Sequence, residues 1–151
     1  MPLAATTYYF RSRDDLVTHA FARLVEQELE ALRAALAGLR HATDLAAAAE
    51  ILVAALDPAD PEERARRLAL WELYLQAGRD PHLQAIAAAW SDGCVAIAAD
   101  LLRHLGVPAA AARLLVPALD GVLLQNLVEQ RADAHAFTAQ AVRALLEAAK
   151  A

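Results

Sequence analysis

The chain has 151 residues, with 14 basic and 19 acidic side chains and a formal net charge of −5. Ala (40) and Leu (26) fill 66 positions, while Gly, Pro and aromatic residues are scarce. That composition excludes an all-β domain, and a hydrophobic content of 58% excludes disorder. What it allows is one helical domain.

The first helix is predicted to start after Ser12, where S-R-D-D supplies an N-cap serine and Asp15 three residues on. Phe21, Val25, Leu29, Leu32 and Leu36 then form one apolar stripe, and Gly38 ends the helix. Thr43-Asp44 caps a shorter second helix running to Leu56. The loop D-P-A-D-P at 57–61 places Pro61 first in a third helix, which closes at Gly78. A fourth runs from Pro81 to Leu105 and stops at Gly106, with Pro108 beyond. A fifth covers about 109–129 and a sixth 134–149. Connections this short make sequential helices antiparallel neighbours.

The last two helices lack a polar face. On the fifth, Leu115, Leu119 and Val122 oppose Gly121, Leu124 and Val128, and the sixth repeats the pattern with Ala141 and Leu145. A helix apolar all round is expected to be buried all round. The expectation is a homodimer through these two helices, with Gly121, Leu124, Val128, Ala141 and Leu145 at the interface. A long central helix of a monomer is the competing reading.

Charge is placed unevenly: Arg11 and Arg13 give residues 1–13 a charge of +2, leaving −7 for the rest. An acidic body does not wrap nucleic acid, so any such contact belongs at the N-terminal tip. No stretch is expected to supply the ~20 uncharged apolar residues of a membrane span, because Asp92, Asp100, Arg103 and Arg113 cut the longest candidates. The single cysteine, Cys94, suits a reducing compartment. A cytoplasmic chain with no membrane partner is expected.

Catalytic signatures are missing. The five histidines are never three or four residues apart, no nucleophile elbow or glycine-rich phosphate loop occurs, and one cysteine excludes a zinc cluster. Neither enzyme chemistry, a metal nor a cofactor is expected. For binding, Trp71 and Tyr74 lie one turn apart on the third helix, with Leu68 and Leu75 nearby. Trp90, Cys94, Ile97 and Leu101 share a face of the fourth, and Asn126 is a polar group amid hydrocarbon on the fifth. Trp71, Tyr74, Trp90, Cys94 and Asn126 are therefore the candidate effector pocket. The same spacings also describe plain core, and Cys94 reads equally as an inert buried thiol. Asp120 reads as a salt-bridge partner or as a cap for an effector amine.

Residues 4–16, AATTYYFRSRDDL, carry the most specific pattern. Thr6, Thr7, Tyr8, Tyr9, Phe10, Ser12, Arg13, Asp14, Asp15 and Leu16 resemble the end of the recognition helix in tetracycline-repressor-like (TetR) regulators and the entry to its next helix. The following helices are similar to that family's regulatory body in number and order. The resemblance implies an all-α, six-helix C-terminal regulatory and dimerisation domain over 12–151, preceded by a helix-turn-helix remnant over 1–11. It implies a transcriptional regulator, most simply a repressor, whose body binds a small apolar effector and moves its first helix. Thr6, Thr7, Tyr8, Tyr9 and Arg13 would contact DNA through phosphates and thymine methyls, and Phe10 would pack the recognition helix on the body. A helix-turn-helix needs its first helix to hold the second in the groove. The chain as given is therefore expected not to bind operator DNA by itself, which is left to an intact full-length form. The alternative is a degenerate helical interaction protein with neither DNA nor ligand role.

Overall fold

The structure, a computed structural model, describes residues 10–42, 44–56 and 60–150. Among them lie six α-helices and no strand: α1 Arg13–Leu36, α2 Leu45–Leu56, α3 Pro61–Ala77, α4 Pro81–His104, α5 Ala112–Glu129 and α6 Ala134–Lys150. Short 3-10 helices at Ala37–His41 and Ala109–Ala111 extend α1 and lead into α5. The fold is thus all-α with six helices.

Local chemistry sets the boundaries. The Ser12 hydroxyl accepts the Asp15 N–H at 3.0 Å, and the Asp15 carboxylate accepts the Arg11 N–H at 2.9 Å, a reciprocal cap shifted outward by one residue. Asp60 caps α3 through the Glu63 N–H at 2.8 Å, ahead of Pro61 in the first turn. Asp80 does the same for α4 through His82 at 3.0 Å, and Asp44 accepts the Ala47 N–H at 2.8 Å. Thr43, its expected companion, lies outside the described residues. At the end of α4, Gly106 adopts φ +69°, while the Val107 N–H reaches the Leu102 carbonyl at 2.9 Å and the Val107 side chain is buried. Only glycine takes that conformation without strain, and the buried Val107 completes a Schellman stop.

Sequential helices α3–α4, α4–α5 and α5–α6 pack as neighbours, while α1 lies on α4 and α2 on α6. Two cores result. One joins α1, α3 and α4 through Phe21, Val25, Leu70, Leu83, Ala87 and Trp90. The other joins α2, α5, α6 and the end of α4 through Ala48, Ala49, Val53, Leu102, Ala112, Val142 and Leu146. The Asn126 Nδ2 donates to the Thr138 hydroxyl at 2.8 Å and the Ala134 carbonyl at 3.3 Å, tying α5 to α6.

One expectation needs correction. Pro81–His104 and Ala109–Glu129 are long and apolar enough, by composition alone, to cross a membrane, with mean hydropathies of 1.5 and 1.3. The interrupting charges are too few to lower the average. In the fold both helices feed the aliphatic core through Leu102, Ala112 and Leu115. Within one chain α5 is covered on one side. Leu115 and Leu127 are buried, but Leu114 (80% exposed), Ala118, Gly121, Gln125 and Val128 (62%) form an outward stripe.

Candidate functional site

A cavity of about 320 Å³ lies where the two cores meet. From α1 come Glu28, Leu32 and Leu36; from α2, Leu52 and Leu56; from α3, Arg64, Arg66, Arg67 and Trp71. Helix α4 adds Trp90, Cys94, Ile97 and Leu101, and α5 adds Leu119, Asp120, Leu123 and Asn126. The whole α4 face read from its 4, 3, 4 spacing therefore lines this space.

Trp71, Trp90, Cys94 and Asn126 meet at the cavity wall, and Tyr74 does not. Tyr74 packs edge-on against Trp71 (ring centroids 5.5 Å apart) and Trp90 (5.1 Å), and its hydroxyl lies 3.3 Å from the Ser91 hydroxyl. It is turned about 60° round α3 from Trp71, which places it beside the wall and not on it. Trp71 and Trp90 also meet edge-to-face at 5.2 Å, so the three rings brace one another. Leu75, expected near them, is 63% exposed.

The polar lining divides into paired and unpaired groups. Arg66 bridges α1 and α3, reaching Glu28 at 2.8 Å and Glu63 at 2.8 Å. Arg67 binds Glu63 at 2.9 Å and donates to the Ala55 and Leu56 carbonyls, so the orphan C-terminal carbonyls of α2 are capped by a cation. Burial raises the Glu63 carboxyl, but hydrogen bonds from Arg66 and Arg67 outweigh that and hold it below its ordinary value. Arg64 donates to the Leu127 carbonyl.

Among the described residues three wall atoms lack a hydrogen bond of good geometry, although the Trp90 indole lies close enough to the Cys94 thiol to favour its ionised form. They are the Trp90 Nε1, the Asn126 Oδ1 and the Glu28 Oε2, the last ion-paired with Arg66 but outside hydrogen-bond geometry. Both partners of the Asn126 Nδ2 are oxygens, and the Ala134 carbonyl can only accept, so the amide is fixed with its acceptor unspent. Asp120 makes no hydrogen bond or ion pair among the described residues, and burial alone pushes its carboxyl from 3.8 up to about 6. Burial, followed by the negative charges of Asp120 and Glu28, pushes the Cys94 thiol up to about 12. A thiol so raised is a small apolar wall group and not a nucleophile.

Sequence reasoning missed Glu28 and the three arginines. Glu28 lies between Val25 and Leu32 on the inward arc of α1, and that periodicity was a usable signal. Glu63 three and four residues before Arg66 and Arg67 was a local pairing signal, but the partners Glu28, Ala55, Leu56 and Leu127 lie on other helices and gave none.

Of the residues expected to touch DNA, Thr6, Thr7, Tyr8 and Tyr9 lie outside the described residues, and Arg13 is exposed at the first residue of α1. Phe10 is half-buried, edge-on to His19 at 5.5 Å. Of the expected interface, Gly121 and Val128 are exposed, and Leu124 and Ala141 are half-buried. Leu145 is half-buried and packs against its own chain's aliphatic core, which takes up part of the surface expected for a partner.

Residues 43–149 match the family model described as "Tetracyclin repressor-like, C-terminal domain". No curated protein matches the chain. Among solved structures, the crystal structure of the multidrug binding protein EbrR complexed with imidazole is similar at 31% identity and a TM-score of 0.69. The match covers 96% of this chain and 76% of that one. The chain belongs to the tetracycline-repressor-like (TetR) family of regulators.

Proposed function

We propose that this chain is the sensing and dimerising body of a TetR-like transcriptional regulator, most simply a repressor, that takes a small, largely apolar effector into the cavity between its cores. The observation that carries this reading is the cavity itself: about 320 Å³, walled by Trp71, Trp90 and aliphatic side chains, with a few unsatisfied polar atoms. That is the usual composition of a small-molecule site. EbrR, similar over most of its length, is itself a multidrug binding protein.

Signal transmission follows from α1. The stretch Glu28–Leu36 touches the cavity while Phe21 and Val25 lie in the aromatic core, so one 24-residue helix spans both. A helix of that length is a lever of about 36 Å. An occupant pressing on Leu32 and Leu36 tilts the opposite end, where a reading head attaches. In an intact dimer the tilt alters the separation of recognition helices, which must be about 34 Å. Operator binding is assigned to a form carrying a complete helix-turn-helix, acting in the cytoplasm, with no catalytic role.

Dimerisation is proposed through α5 and α6. The outward stripe of Leu114, Ala118, Gly121, Gln125 and Val128 is apolar but for Gln125, and Gly121 has no atom within 4 Å of where a Cβ would stand. Light scattering should report ~32 kDa, twice the chain mass, as a two-fold assembly requires. Gly121→Arg should return the 16.2 kDa monomer. For the effector, a library of lipophilic compounds should contain ligands that quench Trp71 and Trp90 fluorescence saturably. At a hundredfold excess over Kd they should raise Tm by about 5–10 °C. No quenching and no thermal shift across the library would remove the sensing role.

A further inference from the structure

The effector reading leaves the ligand's charge open, and the wall chemistry decides it. Of the three carboxylates lining the cavity, Glu28 and Glu63 have arginine partners, whereas Asp120 has none among the described residues. The deep wall is otherwise aromatic and aliphatic: Trp71 and Trp90 present their rings, and Cys94 presents a neutral thiol. The Asn126 Oδ1, held by the anchored amide, has no donor among the described residues but lies more than a turn and a half further along α5 from Asp120.

We infer that the cavity is built for an aromatic organic cation carrying an N–H, with the ammonium on Asp120 and its ring system against Trp71 and Trp90. The ammonium answers the unpaired Asp120 carboxylate, and the ring system answers the indole wall. A buried unpaired carboxylate is costly until a cation neutralises it. Indole faces attract cations through their quadrupole and stack on flat rings. An anionic ligand fits less well. Arg66 and Arg67 are held by Glu28, Glu63 and the carbonyls of α2, and Arg64 is bonded to the Leu127 carbonyl. Leu127 lies about two turns along α5 from Asp120, so the Arg64 charge sits at the other end of the cavity.

This inference rests on the effector reading, and calorimetry with matched probes separates the two. The probes are 1-naphthylmethylamine, the isosteric neutral 1-naphthalenemethanol, and 1-naphthoate. At pH 7.5 the amine should bind about tenfold or more tighter than the alcohol, with naphthoate weakest. In Asp120→Asn the amine should fall to the affinity of the alcohol, and the alcohol should be unchanged. Asp120→Asn retains volume and removes only the charge, and a thermal melt verifies that it folds; Asp120→Ala should show the same loss of preference. Equal binding of amine and alcohol overturns the inference and leaves the effector reading standing. Tightest binding of naphthoate does the same, as does an amine preference that survives both substitutions. If none of the three binds, the inference falls, and the library screen decides separately whether the effector reading stands.

Discussion

The two cores are made of different material. The one between α1, α3 and α4 is aromatic, with Phe21 and Trp90 buried and Trp71 and Tyr74 packed against it. The one between α2, α5 and α6 has no aromatic residue among its buried members and includes Ala48, Ala49 and Ala112 at 0% exposure. Alanines at that burial let helix backbones approach closely and leave little to rearrange. Large rings pack edge to face against one another, and a ring face not used for packing is free to become a wall. Trp71 and Trp90 serve in both roles. The difference is one of packing: alanines close the aliphatic end, while the aromatic end leaves two indoles at the cavity wall that both ends line.

The largest expected effect tests whether the aromatic end is a true core behind its wall. Phe21 is fully buried and does not line the cavity. Phe21→Ala should cost about 3–5 kcal/mol, the range for emptying a buried ring site. Trp71→Ala, half-buried at the wall, should cost about half as much and yet abolish ligand quenching of the remaining Trp90. Urea unfolding of both variants gives the two numbers. A Phe21→Ala cost below about 1 kcal/mol would mean loose packing throughout that end, and the division between core and wall would collapse.

Asp120 supplies the next effect, with a sign that depends on pH. Its carboxyl is raised from 3.8 to about 6 in the fold, so folding favours the neutral acid. Below pH 3.8 both states are protonated and the group adds no cost. Between 3.8 and about 6 the unfolded chain ionises first, and destabilisation accumulates; above about 6 it is complete. Two pKa units correspond to about 3 kcal/mol, and solvent reaching the partly exposed group leaves on the order of 1–2. Asp120→Asn should therefore unfold at higher urea than the parent at pH 8 and at the same urea near pH 3.5. Glu28 on α1 and Cys94 on α4 face the group and are common to both proteins, as are Glu63, Arg64, Arg66 and Arg67 on α3. A constant difference across pH would show that Asp120 is solvated and that the cavity holds no lone charge.

Much of this was legible in the sequence because the relevant physics is local. Ser12, Asp60, Asp80 and Gly106 fix helix ends through bonds spanning two to five residues, so composition and position suffice. The wall face of α4 was legible because one period connects Trp90, Cys94, Ile97 and Leu101. The ion-pair frame was not, since Arg66 meets Glu28 across 38 positions of chain and no local rule selects that partner. Asp120 was visible but its neighbours were not, and only three-dimensional placement separates a paired carboxylate from a lone one. Leu145 shows the same limit, because one chain's own core and a partner ask for the same apolar side chains.

The smallest effect concerns the seam between α1 and α4. A Cβ at Gly93 would stand 2.7 Å from the Leu29 Cδ1 and 2.9 Å from Cδ2, closer than carbon atoms come without movement. Alanine gains about 1 kcal/mol of helix propensity over glycine, while overpacking costs about 1–3 kcal/mol. Leu29 adjoins Glu28 and packs against the aromatic core, so its branched end has little room to turn away. The clash should win narrowly, giving Gly93→Ala a net loss of about 1 kcal/mol, or about 2–4 °C in Tm. Leu29→Ala should remove the clash, and the double variant should lose less than the sum of the single ones. A Gly93→Ala variant more stable than its parent would show that α1 yields at this contact. The aromatic end would then be adaptable in its packing, with α1 giving way at Leu29.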